Sequence, residues 1–244
     1  RRVIHLSFFC SGPRVIVGGI LYFVYLSDMK DFYTIGKNLT DKIPHHRYDR
    51  FYPLFLEPLR NSKFNMLEIG VDDGGSLKLW ERYFPHASIY GVDIDKEQQN
   101  KRSVVYKFDQ SKPEDLKEIV KTVPSCKFVI DDGSHHPQHQ LITFLELFEN
   151  TLEWGGIYII EDIECNYWHP ESSVYGYTIG HFSIMDYLRR IPDQINSEFN
   201  QSKNSLSIST ITFAHNCVVI TKKTREEETL TNRPYRYQNC VTGV

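Results

Sequence analysis

The apolar positions of this chain fall into short runs that end in polar residues, and amphipathic stretches separate the runs. That pattern predicts strands alternating with helices. Residues 64–70 (FNMLEIG) read as a buried strand, followed by the turn VDDGGS at 71–76 and by Leu77, Leu79, Trp80 and Tyr83 at helical spacing. A second strand at 87–95 (ASIYGVDID) ends in acids, and a third at 104–110 (VVYKFDQ) ends in Asp109 and Gln110. A helix over 113–123 precedes a fourth strand at 127–130, which runs into the octet VIDDGSHH at 129–136. Leu141, Phe144, Leu145 and Phe148 repeat at helical spacing before a fifth strand at 155–160 (GGIYII), which ends in EDIE at 161–164. Farther on, residues 182–188 read as part of a helix and 209–220 as two strands around a turn at His215 and Asn216. Strands separated by helical segments of this length are the pattern of a parallel βαβ sheet with helices on both faces.

The organisation reads as one domain with appendages. Residues 29–63 form a helical lead-in, with Tyr52, Leu54, Phe55, Leu56 and Leu59 clustered at helical spacing and Pro58 limiting a regular helix. Within it, DKIPHHRY at 41–48 puts His45, His46 and Tyr48 where they could lie over a pocket. Residues 64–223 are the core domain, and 224–244 read as a polar, solvated tail. Residues 1–28 contain the apolar run VIVGGILYFVYL at 15–26, short for a membrane span. Three readings stand for it: an upstream translated region or fragment, a signal anchor, or an added strand, with the first preferred. No internal repeat or long linker divides the chain.

Composition changes this picture only by exclusion. The formal net charge is −3, so no global field calls for nucleic acid or an acidic membrane, and any partner must be argued from a site. Hydrophobic residues make up 41% and aromatic residues 14%, which excludes a mainly disordered chain. Cys10, Cys126, Cys165, Cys217 and Cys240 are odd in number, widely spread and free of any C-x-x-C pair. They point to a reducing, cytoplasmic setting and away from a zinc site.

The chemistry gathers at the strand ends, where open α/β sheets bind ligands. Gly70, Gly74 and Gly75 permit a tight turn and close ligand approach, and the amides that open the following helix offer donors. The spacing E-x-G-x-x-x-G departs from the G-x-G-x-x-G of a dinucleotide binder and counts against NAD or FAD. Asp93, about twenty residues beyond the turn, can accept both hydrogen bonds of a ribose diol. Asp109 and Gln110 could bracket an adenine edge. Asp131 and Asp132 beside Glu161 and Asp162 would repel one another unless a cation or protons neutralised them. A helix cap needs only one acid, so paired acids at two strand ends argue for more than caps. Tyr167 and Trp168 are placed to shape a substrate wall, while His136 and His139 read as surface residues.

Taken in order, LEIGVDDGGS, YGVDID, FDQ, IDDGSHH and GGIYIIEDIE resemble the class I S-adenosylmethionine-dependent methyltransferases. The nearest likeness is to the metal-dependent macrolide sugar O-methyltransferases of the mycinamicin and macrocin type, related to the cephalosporin hydroxylase family and used in natural-product biosynthesis. The likeness covers residues 40–223. It implies a Rossmann-like, doubly wound, mostly parallel seven-stranded sheet with helices on both faces and an antiparallel last strand. It further implies that Glu68, Gly70, Gly74 and Ser76 line the methionine part of S-adenosylmethionine, that Asp93 holds the ribose, and that Asp109 and Gln110 lie near the adenine. Asp131 would sit beneath the cofactor, Asp132, Glu161 and Asp162 would ligate Mg²⁺, and His135 would be the general base, with Asp132 beside it in the catalytic pair. Alternation along a strand sends Asp131 and Asp132 to opposite faces, and which of them meets the metal stays open. The implied acceptor is a hydroxyl of a sugar, a sugar-bearing small molecule or a glycan, with no nucleic acid, no required membrane, and self-association left open. The competing readings are a methyltransferase for another diol, a hydroxylase-family relative, or a non-catalytic cofactor-binding member.

Overall fold

A computed structural model describes residues 31–168, 183–197 and 206–231. The apolar run at 15–26, Cys10, Cys240 and the end of the tail lie outside the described residues. The strands are β1 (Asn65–Ile69), β2 (Ser88–Asp93), β3 (Gln98–Gln99), β4 (Ser103–Lys107), β5 (Cys126–Asp131), β6 (Leu152–Glu161), β7 (Ile208–Ala214) and β8 (Cys217–Lys222). They form one sheet in the order β3-β4-β2-β1-β5-β6-β8-β7. β4, β2, β1, β5 and β6 run parallel, and β8 is inserted antiparallel between β6 and β7. The expected seven strands and antiparallel last strand are present. The two-residue β3 adds an eighth, antiparallel to β4 at the sheet edge. Strand order reverses between β1 and β5, which creates the crevice where such sheets bind ligands.

Beyond the helical residues 31–36, the described helices include α1 (Tyr52–Leu56), α2 (Gly75–Tyr83), α3 (Pro113–Thr122), α4 (Pro137–Asn150), α5 (Ile184–Leu188), α6 (Ile191–Ile195) and α7 (Arg225–Thr231). Two buried clusters cover the two faces of the sheet. On one face Leu116, Ile119, Phe144, Leu147, Phe148, Leu188 and Ile191 pack on Leu67, Val129 and Tyr158. On the other, Phe32, Ile43, Tyr48, Tyr52, Leu77, Trp80 and Tyr83 pack on Met66, Phe128, Ile130 and Ile159. The second cluster is an aromatic stack, with Tyr48 and Tyr52 ring centroids 5.0 Å apart and Phe32 edge-on to Tyr83 at 4.8 Å. It fastens the lead-in to the sheet. The lead-in is helical only in pieces: residues 31–36 are helical, 37–39 and 41–46 are turns, and short 3-10 turns at Tyr48–Arg50 and Glu57–Leu59 flank α1, whose first turn holds Pro53.

Two buried or pinned polar groups close the far end of the sheet. Lys222 Nζ on β8 donates to Phe148 O at 2.7 Å and to Glu149 O and Leu152 O at 3.1 Å, capping the carbonyl end of α4 with a cation. The tail, expected as a solvated extension, begins with α7, whose described side chains are exposed or half-buried. Glu227 anchors it by accepting from Thr224 N and Ser209 Oγ, each at 2.7 Å. Among the described residues, no helix is long and apolar enough to cross a membrane.

Candidate active site

Strand alternation decides which acids meet. In β5, Val129 faces the α3–α4 side, and Phe128 and Ile130 face the lead-in. Continuing that period of two sends Asp131 under α4 and Asp132 toward the lead-in. The same alternation in β1 and β6 puts Glu68 and Glu161 on the lead-in side, beside Met66, Ile157 and Ile159. Three neighbouring strand ends, β1, β5 and β6, therefore present Glu68, Asp132 and Glu161 to one place.

A cation fills that place. Lys42 reaches in from the lead-in with its side chain only 1% exposed, donating to Asp132 and to Glu161 Oε2 at 2.6 Å, and lying 3.6 Å from Glu68 Oε1. Burial alone would strip its proton, but Asp132, Glu161 and Glu68 outweigh burial and raise the pKa well above the ordinary lysine value. Glu161 is fully buried and also accepts from the Tyr52 hydroxyl. Burial and the charge of Asp132 raise its pKa, and Lys42 offsets part of that rise. Glu68 Oε2 accepts from Ser76 Oγ at 2.8 Å, and burial pushes its carboxyl up to about 7.

A second constellation opens on the cleft. Asp132, His135 and Asp162 each offer a ligand atom within 4.8 Å of the others. His135 Nε2 lies 3.6 Å from Asp162 Oδ2. Asp162 Oδ1 accepts from Tyr48 Oη at 2.9 Å and Asn216 Nδ2 at 2.8 Å, with His46 Nδ1 3.4 Å away. One oxygen of Asp162 is thus held by the lead-in and by the β7–β8 turn, while the other is on the side of His135. His135 and Asp162 both have left-handed backbones, φ 56° and 52°, a cost of order 1 kcal/mol each for a non-glycine residue. Burial would lower the pKa of His46, but Asp41 and Asp162 outweigh burial and raise it.

The cleft measures about 880 Å³ and is lined in part by Gly70, Ser76, Asp93, Asp109, Gln110, Asp132, His135 and Asp162. Glu68, Asp131 and Glu161 lie behind that lining. Asp93 accepts from Val71 N and Asp72 N at 3.1 Å and from Asp95 N at 2.9 Å, so it also shapes the glycine turn. Burial would raise its carboxyl, and these amides bring the pKa below the ordinary aspartate value. Gly74 has φ 78°, with open space where a Cβ would point. Asp109 Oδ1 accepts from Ser111 N at 2.9 Å ahead of α3. Gln110 is buried, with its amide nitrogen donating to Asp131 Oδ1 at 3.1 Å and its oxygen accepting from Ser134 N at 2.6 Å. It ties the octet to the end of β4. His136 and His139, expected at the surface, are half-buried: His136 caps α4 and His139 Nδ1 lies 2.9 Å from Ser134 Oγ. Tyr167 is exposed and Trp168 half-buried, and neither is among the cleft residues.

Asp131 makes a pH prediction possible. Burial pushes its carboxyl up to about 6, against hydrogen bonds from Gln110 and Gly133 N that pull it down. An acid whose folded pKa lies above its unfolded value of about 3.9 keeps its proton longer when folded, so stability is lost as pH rises from about 4 to 6. Asp131→Asn should remove that loss. The melting temperature of the variant minus that of the wild type is expected to increase from pH 4 to pH 7, and a difference constant over that range would rule the argument out.

The reading from sequence missed Lys42, Tyr52 and Asn216. Lys42 sits inside the singled-out DKIPHHRY segment, where its signal was a lone lysine beside the fully buried Ile43. Its partners are 26 to 119 positions away, as in Lys42 to Glu161, and local periodicity does not report them.

Comparison with known proteins gives this geometry its setting. The 8-demethyl-8-alpha-L-rhamnosyl tetracenomycin-C 2'-O-methyltransferase of Streptomyces olivaceus is 36% identical over 145 residues, 56% of this chain and 38% of that protein. The mycinamicin VI 2''-O-methyltransferase of Micromonospora griseorubida is 37% identical over 134 residues, 51% of this chain and 32% of that protein. The demethylmacrocin O-methyltransferase of Streptomyces fradiae is 35% identical over 134 residues, 51% of this chain and 32% of that protein. A solved structure of MycE methyltransferase from the mycinamycin biosynthetic pathway, in complex with Mg, SAH and mycinamycin VI, superposes with a TM-score of 0.70. It is 28% identical, with 82% of this chain and 56% of that chain covered. The chain spans about a third of the length of the curated relatives it matches and about half that of the solved structure. No family model matches it.

Proposed function

We propose that this chain carries an S-adenosylmethionine- and Mg²⁺-dependent O-methyltransferase activity toward a hydroxyl of a sugar or a sugar-bearing small molecule. The observation that carries the reading is the Asp132–His135–Asp162 group at the mouth of the cleft, at the carboxyl ends of β5 and β6. The donor set fits the ion. Asp132 and Asp162 both line the cleft, with the buried Glu161 behind them, and carboxylate oxygen is the hard donor Mg²⁺ takes. The cleft also fits the cofactor, with a glycine turn, an acid at the end of β2 and a polar pair beyond β4 along its wall.

Asp132 and Asp162 would hold the ion, with Glu161 behind them. When bound, Mg²⁺ makes a coordinated hydroxyl more acidic, and S-adenosylmethionine presents a methyl on a sulfonium leaving group. His135 accepts the acceptor's hydroxyl proton at Nε2, 3.6 Å from Asp162 Oδ2. Gly70 and Ser76 would face the methionine part and Asp93 the ribose, while Asp109 and Gln110 would approach the adenine. Asp131 holds Gln110 from beneath. The lead-in residues 38–41 form one side of the cleft.

Calorimetry with S-adenosylmethionine, with and without Mg²⁺, tests the reading together with a turnover assay using labelled cofactor and glycosylated acceptors. Binding in the micromolar range and turnover silenced by EDTA and restored by Mg²⁺ are expected. No cofactor binding at high micromolar concentration, or EDTA-insensitive turnover, would defeat it.

A further inference from the structure

Lys42 has no part in that chemistry, yet it is the most completely enclosed cation at the site. Its ammonium lies where the side chains from β1, β5 and β6 converge, on carboxylates that belong to both groups just described. Asp132 is shared: it is bound by Lys42 and also belongs to the group with His135 and Asp162. We infer that Lys42 is a positioning residue, an internal cation that holds Asp132 and Glu161 in place before a divalent ion arrives and competes with that ion for them. This rests on the Mg²⁺ reading above.

Three physical points support it. First, carboxylates brought this close are held in register by a positive charge placed between them. An ammonium supplied by the fold occupies that place whether or not the ion is present. Second, the ammonium and an incoming dication draw on the same Asp132 carboxylate within a few ångströms, so each lowers the other's hold by Coulomb repulsion. Third, Lys42 is fixed from behind: Ile43 is fully buried, and Tyr48 and Tyr52 bind Asp162 and Glu161 from the same lead-in. The ammonium can shift toward Glu68, 3.6 Å away, without leaving the pocket. A merely structural lysine would stabilise the fold and leave metal affinity unmoved, whereas a competing cation sets that affinity.

The test is MgCl₂ titration by calorimetry of the wild type and Lys42→Met, with melting temperatures taken in EDTA and in excess Mg²⁺. Lys42→Met is expected to bind Mg²⁺ about tenfold more tightly. It should melt lower than the wild type in EDTA and recover more than the wild type on adding Mg²⁺. Equal or weaker Mg²⁺ binding by Lys42→Met overturns the inference. Should that variant not fold, wild-type protein labelled with ¹⁵N-lysine gives a second readout. The Lys42 ammonium resonance, assigned by its loss in Lys42→Arg, is expected to shift on adding Mg²⁺, and an unmoved resonance overturns the inference. A wild type that binds no Mg²⁺ removes the methyltransferase metal site and this inference with it. Wild-type binding without a Lys42 effect removes this inference alone.

Discussion

Replacing His135 with Ala is expected to lower kcat for methyl transfer by about 10²- to 10⁴-fold, the range for loss of a positioned general base. Affinity for S-adenosylhomocysteine should stay within about twofold. The expectation follows from placement. His135 is in the loop after β5, and its Nε2 is on the Asp162 side of the group shared with Asp132. The proposed cofactor contacts, from Gly70 to Gln110, lie elsewhere along the cleft wall. The fold holds His135 at φ 56°, a conformation uncommon for any residue but glycine. Neighbours must therefore fix it: Gln110 binds Ser134 N, and Ser134 Oγ meets His139 on the first turn of α4. Alanine at φ 56° bears a backbone cost of about 1–2 kcal/mol, so the substitution chiefly removes the imidazole. Turnover with labelled cofactor and titration with S-adenosylhomocysteine separate the two effects. Loss of cofactor binding alongside turnover would make His135 a structural residue.

How much of this was legible in the sequence depends on the range of each interaction. β1, β2, β5 and β8 were readable because short apolar runs are local signals, sharpened where Gly70, Asp93 and Asp131 end the first three. The convergence of Asp132 with Asp162 was readable too, since parallel neighbouring strands end at the same edge of a sheet. Two features were not. β3 is two exposed glutamines, Gln98 and Gln99, whose pairing with β4 leaves no hydrophobic pattern. Lys42 pairs with three acids on three strands, and only the folded register brings them together. The two-sided fate of Asp131 and Asp132 followed from alternation, but which side held the cleft required knowing where the lead-in packs. The aromatic residues Phe32, Tyr48, Tyr52 and Tyr83 decide that, by filling the face opposite α3 and α4.

Gly70→Ala is expected to cost about 3 kcal/mol or more of stability, and it should disturb the Asp132–His135–Asp162 group without replacing any charged residue. Gly70 ends β1 with φ 84°, and a Cβ there would stand 2.1 Å from the Asp132 carbonyl oxygen and 2.6 Å from Gly133 Cα. Both neighbours are backbone, so no rotamer change relieves the contact. The left-handed conformation costs about 1 kcal/mol for alanine, and overpacking of this kind adds about 1–3 kcal/mol. The backbone cannot part easily either, because Gly70 N donates to Val92 O at 2.8 Å and Asp132 N to Ile69 O at 2.9 Å. Relief must come from shifting the 132–135 loop, which carries Asp132 and His135 together. Chemical denaturation should therefore show the stability loss, and calorimetry should show weaker Mg²⁺ binding by the folded fraction. An alanine variant as stable as the wild type would mean that the β1 and β5 ends are farther apart than this geometry places them. The reason for glycine at position 70 would then have to be sought on the cofactor side of the turn.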